Sequence, residues 1–262
     1  MKNQQSLQIR LCDSPLSYDD PQLTKRLGLI ALATDLTSER DFVKLMPHDQ
    51  IGIFTSRVAY ENPTTPESLR DMAPRLSAAA DLILPGESLV AICYSCTAAS
   101  VVIGDEVVTQ AIHTVRPGVP VVTPSAAARL AFTALGVKRI SILTPYLIET
   151  SQPMADYFTQ HGLAIQSFDC LGLDDDRDMA RIGRNDIIEA AIRADVPEAE
   201  ALFISCTAVP AVATIAEIEK RIGKPVVTSN QASAWAMLRH AGLQHNPVGY
   251  GRLFDLDLPQ QN

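Results

Sequence analysis

Two cysteines stand in the same tetrapeptide, Ser-Cys-Thr-Ala, once at Ser95-Cys96-Thr97-Ala98 and again at Ser205-Cys206-Thr207-Ala208, 110 positions apart. Each follows an apolar run, Leu89 to Ile92 and Ala201 to Ile204, that reads as a buried strand. Small polar residues end the first run, and Ala98, Ala99 and Ser100 open what reads as a helix. A thiol at a strand-to-helix junction lies beside unpaired N–H groups and the positive end of the helix dipole. That setting predicts a cysteine pKa lowered from about 8.5 towards neutrality, and the thiolate is the form that acts as nucleophile or base. Two opposed groups of similar acid strength suit removal of a proton from one face of a carbon and delivery to the other. They equally suit addition by one thiol while the other protonates the neighbouring carbon. Helix N–H donors also stabilise a carboxylate and its enolate-like intermediate, by on the order of 3 kcal/mol for each well-placed donor.

The elements that must hold these thiols follow in chain order. Residues 1–24, with Pro15, Pro21 and paired aspartates, read as an extended arm. Lys25 to Ala33 is an apolar strand ending in the capping residue types Thr34-Asp35-Leu36-Thr37-Ser38, after which a helix runs through Phe42. Ile51 to Val58 is a second strand. Thr65-Pro66 opens a helical segment to about Leu84, which Pro74 should kink. After the Cys96 strand a helix is predicted from about Ala98 to Val115, and Val119 to Pro124 is another short strand.

The second half repeats the first. Lys138 to Tyr146 answers the strand from Lys25, the Cys206 strand answers the Cys96 strand, and Lys224 to Ala232 answers Val119 to Ala127. The offsets, 113, 110 and 105, are near constant and indicate an internal duplication. Strands alternating with helical stretches predict an α/β fold of two pseudo-symmetric parallel-sheet halves. Ligands of such sheets bind beyond the carboxyl ends of the strands, so both cysteines are expected to face one cleft between the halves. The helices at about 125–135 and 231–241 cross over or pack between the halves. The expected division is an arm at 1–24, a first half at 25–124 with 229–262, and a second half at 125–228.

Composition excludes several classes. The net charge of −8 leaves no basic patch, so neither nucleic acid nor an anionic membrane is an expected partner. No apolar run approaches the roughly 20 residues of a membrane span, and the first ten residues lack a signal-peptide core. Five cysteines, an odd number, then read as free thiols of a cytoplasmic protein. There is no G-x-G-x-x-G, Walker loop or H-E-x-x-H, and His48, His113, His161, His240 and His245 are scattered. No cofactor and no metal are therefore expected.

At these residues the sequence resembles the aspartate/glutamate racemase superfamily, and within it the maleate isomerase and arylmalonate decarboxylase branch. The blocks that carry the resemblance are Arg26-Leu27-Gly28-Leu29-Ile30 with the loop from Thr34 to Glu39, Val121 to Ser125, Leu143 to Tyr146, and Pro225 to Ala232 with Trp235. Proteins associated with ectoine utilisation are the most similar group. The resemblance implies a cofactor-independent isomerase of a small carboxylate, racemase/epimerase or cis–trans isomerase, and a homo-oligomer, a dimer. It makes Cys96 the nucleophile or first base and Cys206 its acid partner. Thr34, Asp35, Ser95, Thr97, Ala98, Tyr146, Thr207 and Ala208 would line the substrate. A lyase of the decarboxylase kind, needing one proton-donating cysteine, and a non-catalytic ligand-binding or thiol-redox module remain as alternatives.

One departure matters. Maleate isomerases usually carry asparagine where this chain has Asp35, and Asp174-Asp175-Asp176-Arg177-Asp178 is acidic where that branch is neutral. Acidic side chains beside a dicarboxylate repel it, so an amino or cationic group on the substrate is expected. Simpler readings stand beside these. The run 174–178 is more often a solvated loop, Asp35 serves equally as a helix cap, and Asn230 and Trp235 as anchors of the last helix. Cys12, Cys93 and Cys170 read as packed small hydrophobes. The Cys93-x-x-Cys96 spacing is a weak redox or zinc signal, because the duplicate at Cys206 lacks the first cysteine.

Overall fold

A computed structural model describes residues 8–18 and 25–259. Residues 8–18 form neither helix nor strand and are exposed throughout; the rest of the expected arm lies outside the described residues. Cys12, read as a packed hydrophobe, is exposed instead.

Among the described residues, eight strands form two sheets. They are β1 (Lys25–Leu32), β2 (Ile51–Val58), β3 (Ala91–Tyr94), β4 (Val121–Val122), β5 (Arg139–Tyr146), β6 (Ala164–Leu173), β7 (Ala201–Ile204) and β8 (Val226–Thr228). The sheet orders are β2-β1-β3-β4 and β6-β5-β7-β8, every pairing parallel. The same order in both is what the repeated blocks predict. The helices are α1 (Ser38–Leu45), α2 (Pro66–Arg70), α3 (Leu76–Asp81), α4 (Thr97–Ile103), α5 (Asp105–His113), α6 (Pro124–Ala134), α7 (Ile148–Gln160), α8 (Asp176–Met179), α9 (Arg184–Ala194), α10 (Ile215–Ile222) and α11 (Ser229–His240). The central strands β1, β3, β5 and β7 are buried over almost their whole length, as their unbroken apolar runs require.

Two local breaks refine the sequence reading. The helix expected from 98 to 115 is split at Gly104, whose φ of +96° takes it out of the helical region and makes it the junction of α4 and α5. The segment from Thr65 begins with the expected cap, Thr65 accepting from the Ser68 N–H at 3.2 Å, and is interrupted by a 3₁₀ turn at Pro74.

The two Pro-Val-Val-Thr blocks each end in a threonine cap. Thr123 accepts from Ala126 N–H at 3.3 Å and Thr228 from Gln231 N–H at 3.2 Å, the latter completed by the Gln231 side chain accepting from Thr228 N–H. The helices they start, α6 and α11, pack on each other at the middle of the molecule. Every residue of α11 from Ser229 to Arg239 is buried, against α1, α6 and strands of both sheets. Its tip, at Ser229 and Asn230, is thereby fixed between the two cysteine loops.

Candidate active site

Each thiol leaves the carboxyl end of a central strand, but the two settings differ. Cys96 caps α4 with extended backbone, and its carbonyl accepts from Ser100 N–H at 3.0 Å. Cys206 is followed by no helix: an irregular stretch through Pro210 leads to a 3₁₀ turn at Val212–Thr214. Its φ is +92°, a region non-glycine residues rarely occupy, at a cost on the order of 1–3 kcal/mol. The identical tetrapeptides thus predicted more symmetry than exists, and Pro210 is the residue that forbids a helix directly after the second thiol.

The strained loop is over-determined by its neighbours. Cys206 N–H donates to Ser229 Oγ at 3.0 Å, and Thr97 donates to the same oxygen at 2.8 Å, so one hydroxyl at the tip of α11 ties both thiol loops together. Thr207 donates to the Ser95 carbonyl at 3.1 Å, and Thr37 to the Ala208 carbonyl at 2.6 Å. Asn230 donates to the Thr207 carbonyl at 2.9 Å and to Asp41 at 3.0 Å.

Both thiols line one small cavity, with about 20 Å³ free, walled by residues of both halves. That is room for about one water. Asp35, Tyr60, Thr64, Tyr146, Asp176, Met179, Thr207 and the small Ala98 and Ala208 complete its walls with Leu32 and Leu69. Larger grooves of about 710 and 680 Å³ beside β6 and α7, and of about 720 Å³ beside Ala33, Tyr60 and Arg75, hold neither thiol. Above the cavity, the loops that follow the edge strands β2 and β6 meet. Thr64 N–H donates to the Asp174 carbonyl at 2.7 Å, Asn62 donates to Asp175 at 2.9 Å and to Asp176 at 2.7 Å, and Thr150 donates to the Thr64 carbonyl at 2.9 Å. This latch narrows the site, in which both thiols are buried.

Burial reverses the electrostatic expectation for the thiols. Burial pushes Cys96 far above its ordinary value, against the lowering effect of the Ala99 N–H, and the nearby Cys206, Asp176 and Asp35 push it further up. Burial likewise pushes Cys206 up to about 12, although Tyr146 and the N–H groups of Ala208 and Val209 hydrogen-bond its sulfur. Both are thiols in the closed, empty cleft. Desolvation by the whole cavity outweighs the few dipoles at a helix start. Tyr146 and Tyr60 are also raised, first by burial.

Of the residues expected at the site, Cys96, Cys206, Asp35, Ala98, Tyr146, Thr207 and Ala208 line the cavity. Thr34, Ser95 and Thr97 do not. Thr34 donates to Asp176; Ser95 shares a 2.8 Å hydrogen bond with Ser38; Thr97 is spent on Ser229. These three hold the walls rather than face the interior. Asp35 does both jobs: its Oδ1 accepts from Thr37 N–H at 2.7 Å and Ser38 N–H at 2.9 Å, while the residue itself lines the cavity. The acidic run is not simply a solvated loop, since Asp176 is 6% exposed and forms part of the wall. Tyr60, Thr64 and Met179 escaped the sequence reading, as did the clasp at Ser229. Cys93 is fully buried in β3 and burial pushes it up to about 12, which fits a packed thiol. Among the described residues no cluster of three or more His, Cys, Asp or Glu could hold a metal, and no helix is long and apolar enough to cross a membrane.

Comparison with known proteins places this geometry. The family description of arylmalonate decarboxylase matches residues 65–254, more than half of the chain and the part that holds both thiols. The chain belongs to the arylmalonate decarboxylase family. The Bordetella bronchiseptica arylmalonate decarboxylase is 32% identical over 142 residues, which are 53% of this chain and 59% of that protein. The maleate isomerase of Alcaligenes faecalis is 24% identical over 252 residues, 90% of this chain and 99% of that protein. Among solved structures, a Nocardia farcinica maleate cis–trans isomerase variant with a covalently bound succinylcysteine intermediate superposes with a TM-score of 0.78 at 22% identity, covering 88% of this chain and 98% of that one. This member of the family is a cysteine-dependent enzyme of the isomerase and decarboxylase type.

Proposed function

We propose that the chain is a two-thiol isomerase of a small carboxylate, with Cys96 and Cys206 acting on one bound molecule. The observation that carries this reading is that both sulfurs line the same closed cavity, one from each sheet. In an inversion at carbon, one cysteine, as thiolate, takes the proton next to the carboxylate. The electron pair is held as an enolate, and the other cysteine gives its proton to the opposite face and is left as the thiolate. Atoms and charge balance without an oxidant or reductant, and exchange with solvent resets the pair. Tyr146, beside Cys206, holds that sulfur in place. Burial raises both thiols, so the step requires one of them to give up its proton before it can act as the base.

A second reading, cis–trans isomerisation, is favoured by the covalent succinylcysteine of the Nocardia relative. There Cys96 thiolate would add to a carbon–carbon double bond while Cys206 protonates the adjacent carbon. Rotation about the new single bond, removal of that proton by Cys206 and loss of the C–S bond would release the other isomer. Decarboxylation would need a single proton donor, and the two thiols in one cavity speak against it.

Proton NMR in D₂O, with a panel of small carboxylates and amino acids, separates these outcomes. Inversion places deuterium at a tetrahedral carbon of recovered substrate, and addition converts one alkene isomer to the other. Carbon dioxide release from a malonate, without either of these, would overturn the isomerase reading.

A further inference from the structure

Asp35 is 7% exposed, lines the cavity, and its Oδ2 has no hydrogen-bond partner. Its Oδ1 is already spent on two backbone N–H groups. A buried carboxylate oxygen with no donor is costly, and such an atom in a cavity wall calls for a donor from the ligand. Across the cavity Asp176, 6% exposed and from the other half, accepts from Asn62 and Thr34. None of the lining residues is Lys, Arg or His. Two guanidiniums stand behind the wall: Arg57 is turned to the carbonyls of Leu32 and Asp35 and to Glu39, and Arg177 to Asp175. They offset the two carboxylates only in part and from behind, so a dicarboxylate entering this site would meet two carboxylates and no cation in the lining.

Taking the cleft as the reaction site, we propose that the substrate bears an ammonium group beside its carboxylate, and that the ammonium is held by the free oxygen of Asp35 with Asp176 as the second negative wall. The substrate class is then a small amino carboxylate, and Asp35 is a specificity-determining binding residue. An ammonium carries three donors on one atom, so it can satisfy Oδ2 and still reach a second acceptor. The substrate carboxylate is left for the hydroxyls and N–H groups on the thiol side of the cavity. Burial raises Asp35 in the empty site; an incoming cation restores its charge and so couples binding to its ionisation.

Protection of Cys96 and Cys206 from iodoacetamide, read by peptide mass spectrometry, tests binding without requiring turnover. The ligands are aspartate, alanine and 2,3-diaminopropionate, set against succinate, maleate and N-acetylaspartate, with wild type, Asp35→Asn and Asp176→Asn. Asp35→Asn keeps the Oδ1 cap and is checked for folding by circular dichroism. The proposal expects protection of wild type by free-amine compounds alone, and a rise of about a hundredfold in their half-protecting concentration for Asp35→Asn. It also expects that variant to gain protection by maleate or succinate. Protection of wild type by succinate, maleate or N-acetylaspartate, unchanged protection in Asp35→Asn, or no protection by any free-amine compound would each overturn it. Failure of the underlying isomerase reading shows differently, as protection by amino carboxylates with no deuterium exchange into them.

Discussion

At the residue scale, the closed cleft decides the state of the thiols. Cys206 is pushed up to about 12 by burial, so near neutral pH it is a thiol wherever the cleft is shut. The sign is fixed by desolvation, which penalises the charged form. Thiolate absorbance at 240 nm, taken as wild type minus Cys206→Ser, should therefore rise well above the ordinary midpoint of about 8.5. A group whose pKa is raised on folding lowers stability as pH climbs from its unfolded value towards its folded one. Stability should thus fall between about pH 9 and pH 12 more steeply in wild type than in Cys206→Ser. A difference spectrum with a midpoint at or below about 8.5 would mean that the N–H donors win over burial. The sequence alone pointed to those donors because they are local, whereas the wall that buries the thiols comes from residues distant in the chain and from both halves. The thiols themselves were legible because each follows a recognisable strand, whereas Asp35, Tyr146, Thr207 and the two alanines were implied only by the family resemblance.

At the scale of elements, α11 is the part that turns two loops into one site. Ser229 accepts from the Cys206 N–H and from Thr97, so Ser229→Ala leaves a buried backbone donor unpaired beside a strained residue. That should cost about 1–3 kcal/mol, lower Tm by several degrees and reduce kcat more than it raises KM. Thermal melting and steady-state kinetics check this; an equal loss in both parameters would assign Ser229 to substrate binding instead. The parallel order of both sheets could be read from the repeated blocks, and the threonine caps of α6 and α11 from their Pro-Val-Val-Thr ends. The break at Gly104 could not, since a single glycine within an otherwise helical pattern is compatible with either outcome. Nor could the difference between the two cysteine loops, where Pro210 overrides the repeated tetrapeptide.

At the scale of the whole molecule, the latch governs access. A cavity with about 20 Å³ free admits no substrate until the loops after β2 and β6 part. Tyr60 and Thr64 were invisible as site residues because only folding brings these two edge loops together. In the sequence the acidic run looks uniformly solvated, while the structure buries one aspartate of four, half-buries Asp175 and leaves Asp174 and Asp178 at the surface. Asn62→Ala removes the bonds to Asp175 and Asp176 that join the halves. If closure weakens by about 1–2 kcal/mol, alkylation of Cys96 and Cys206 by iodoacetamide should quicken roughly tenfold, with little change in melting temperature. Unchanged alkylation would show that the latch does not limit entry.

The most direct test of the paired-thiol account is turnover by Cys96→Ser, Cys206→Ser and the double variant, on whichever carboxylate exchanges deuterium with wild type. Groups that act as a unit are non-additive, so each single variant should lose on the order of 10³-fold or more and the double variant hardly more than either. A single variant that keeps near wild-type turnover would contradict the account, because one sulfur would then suffice.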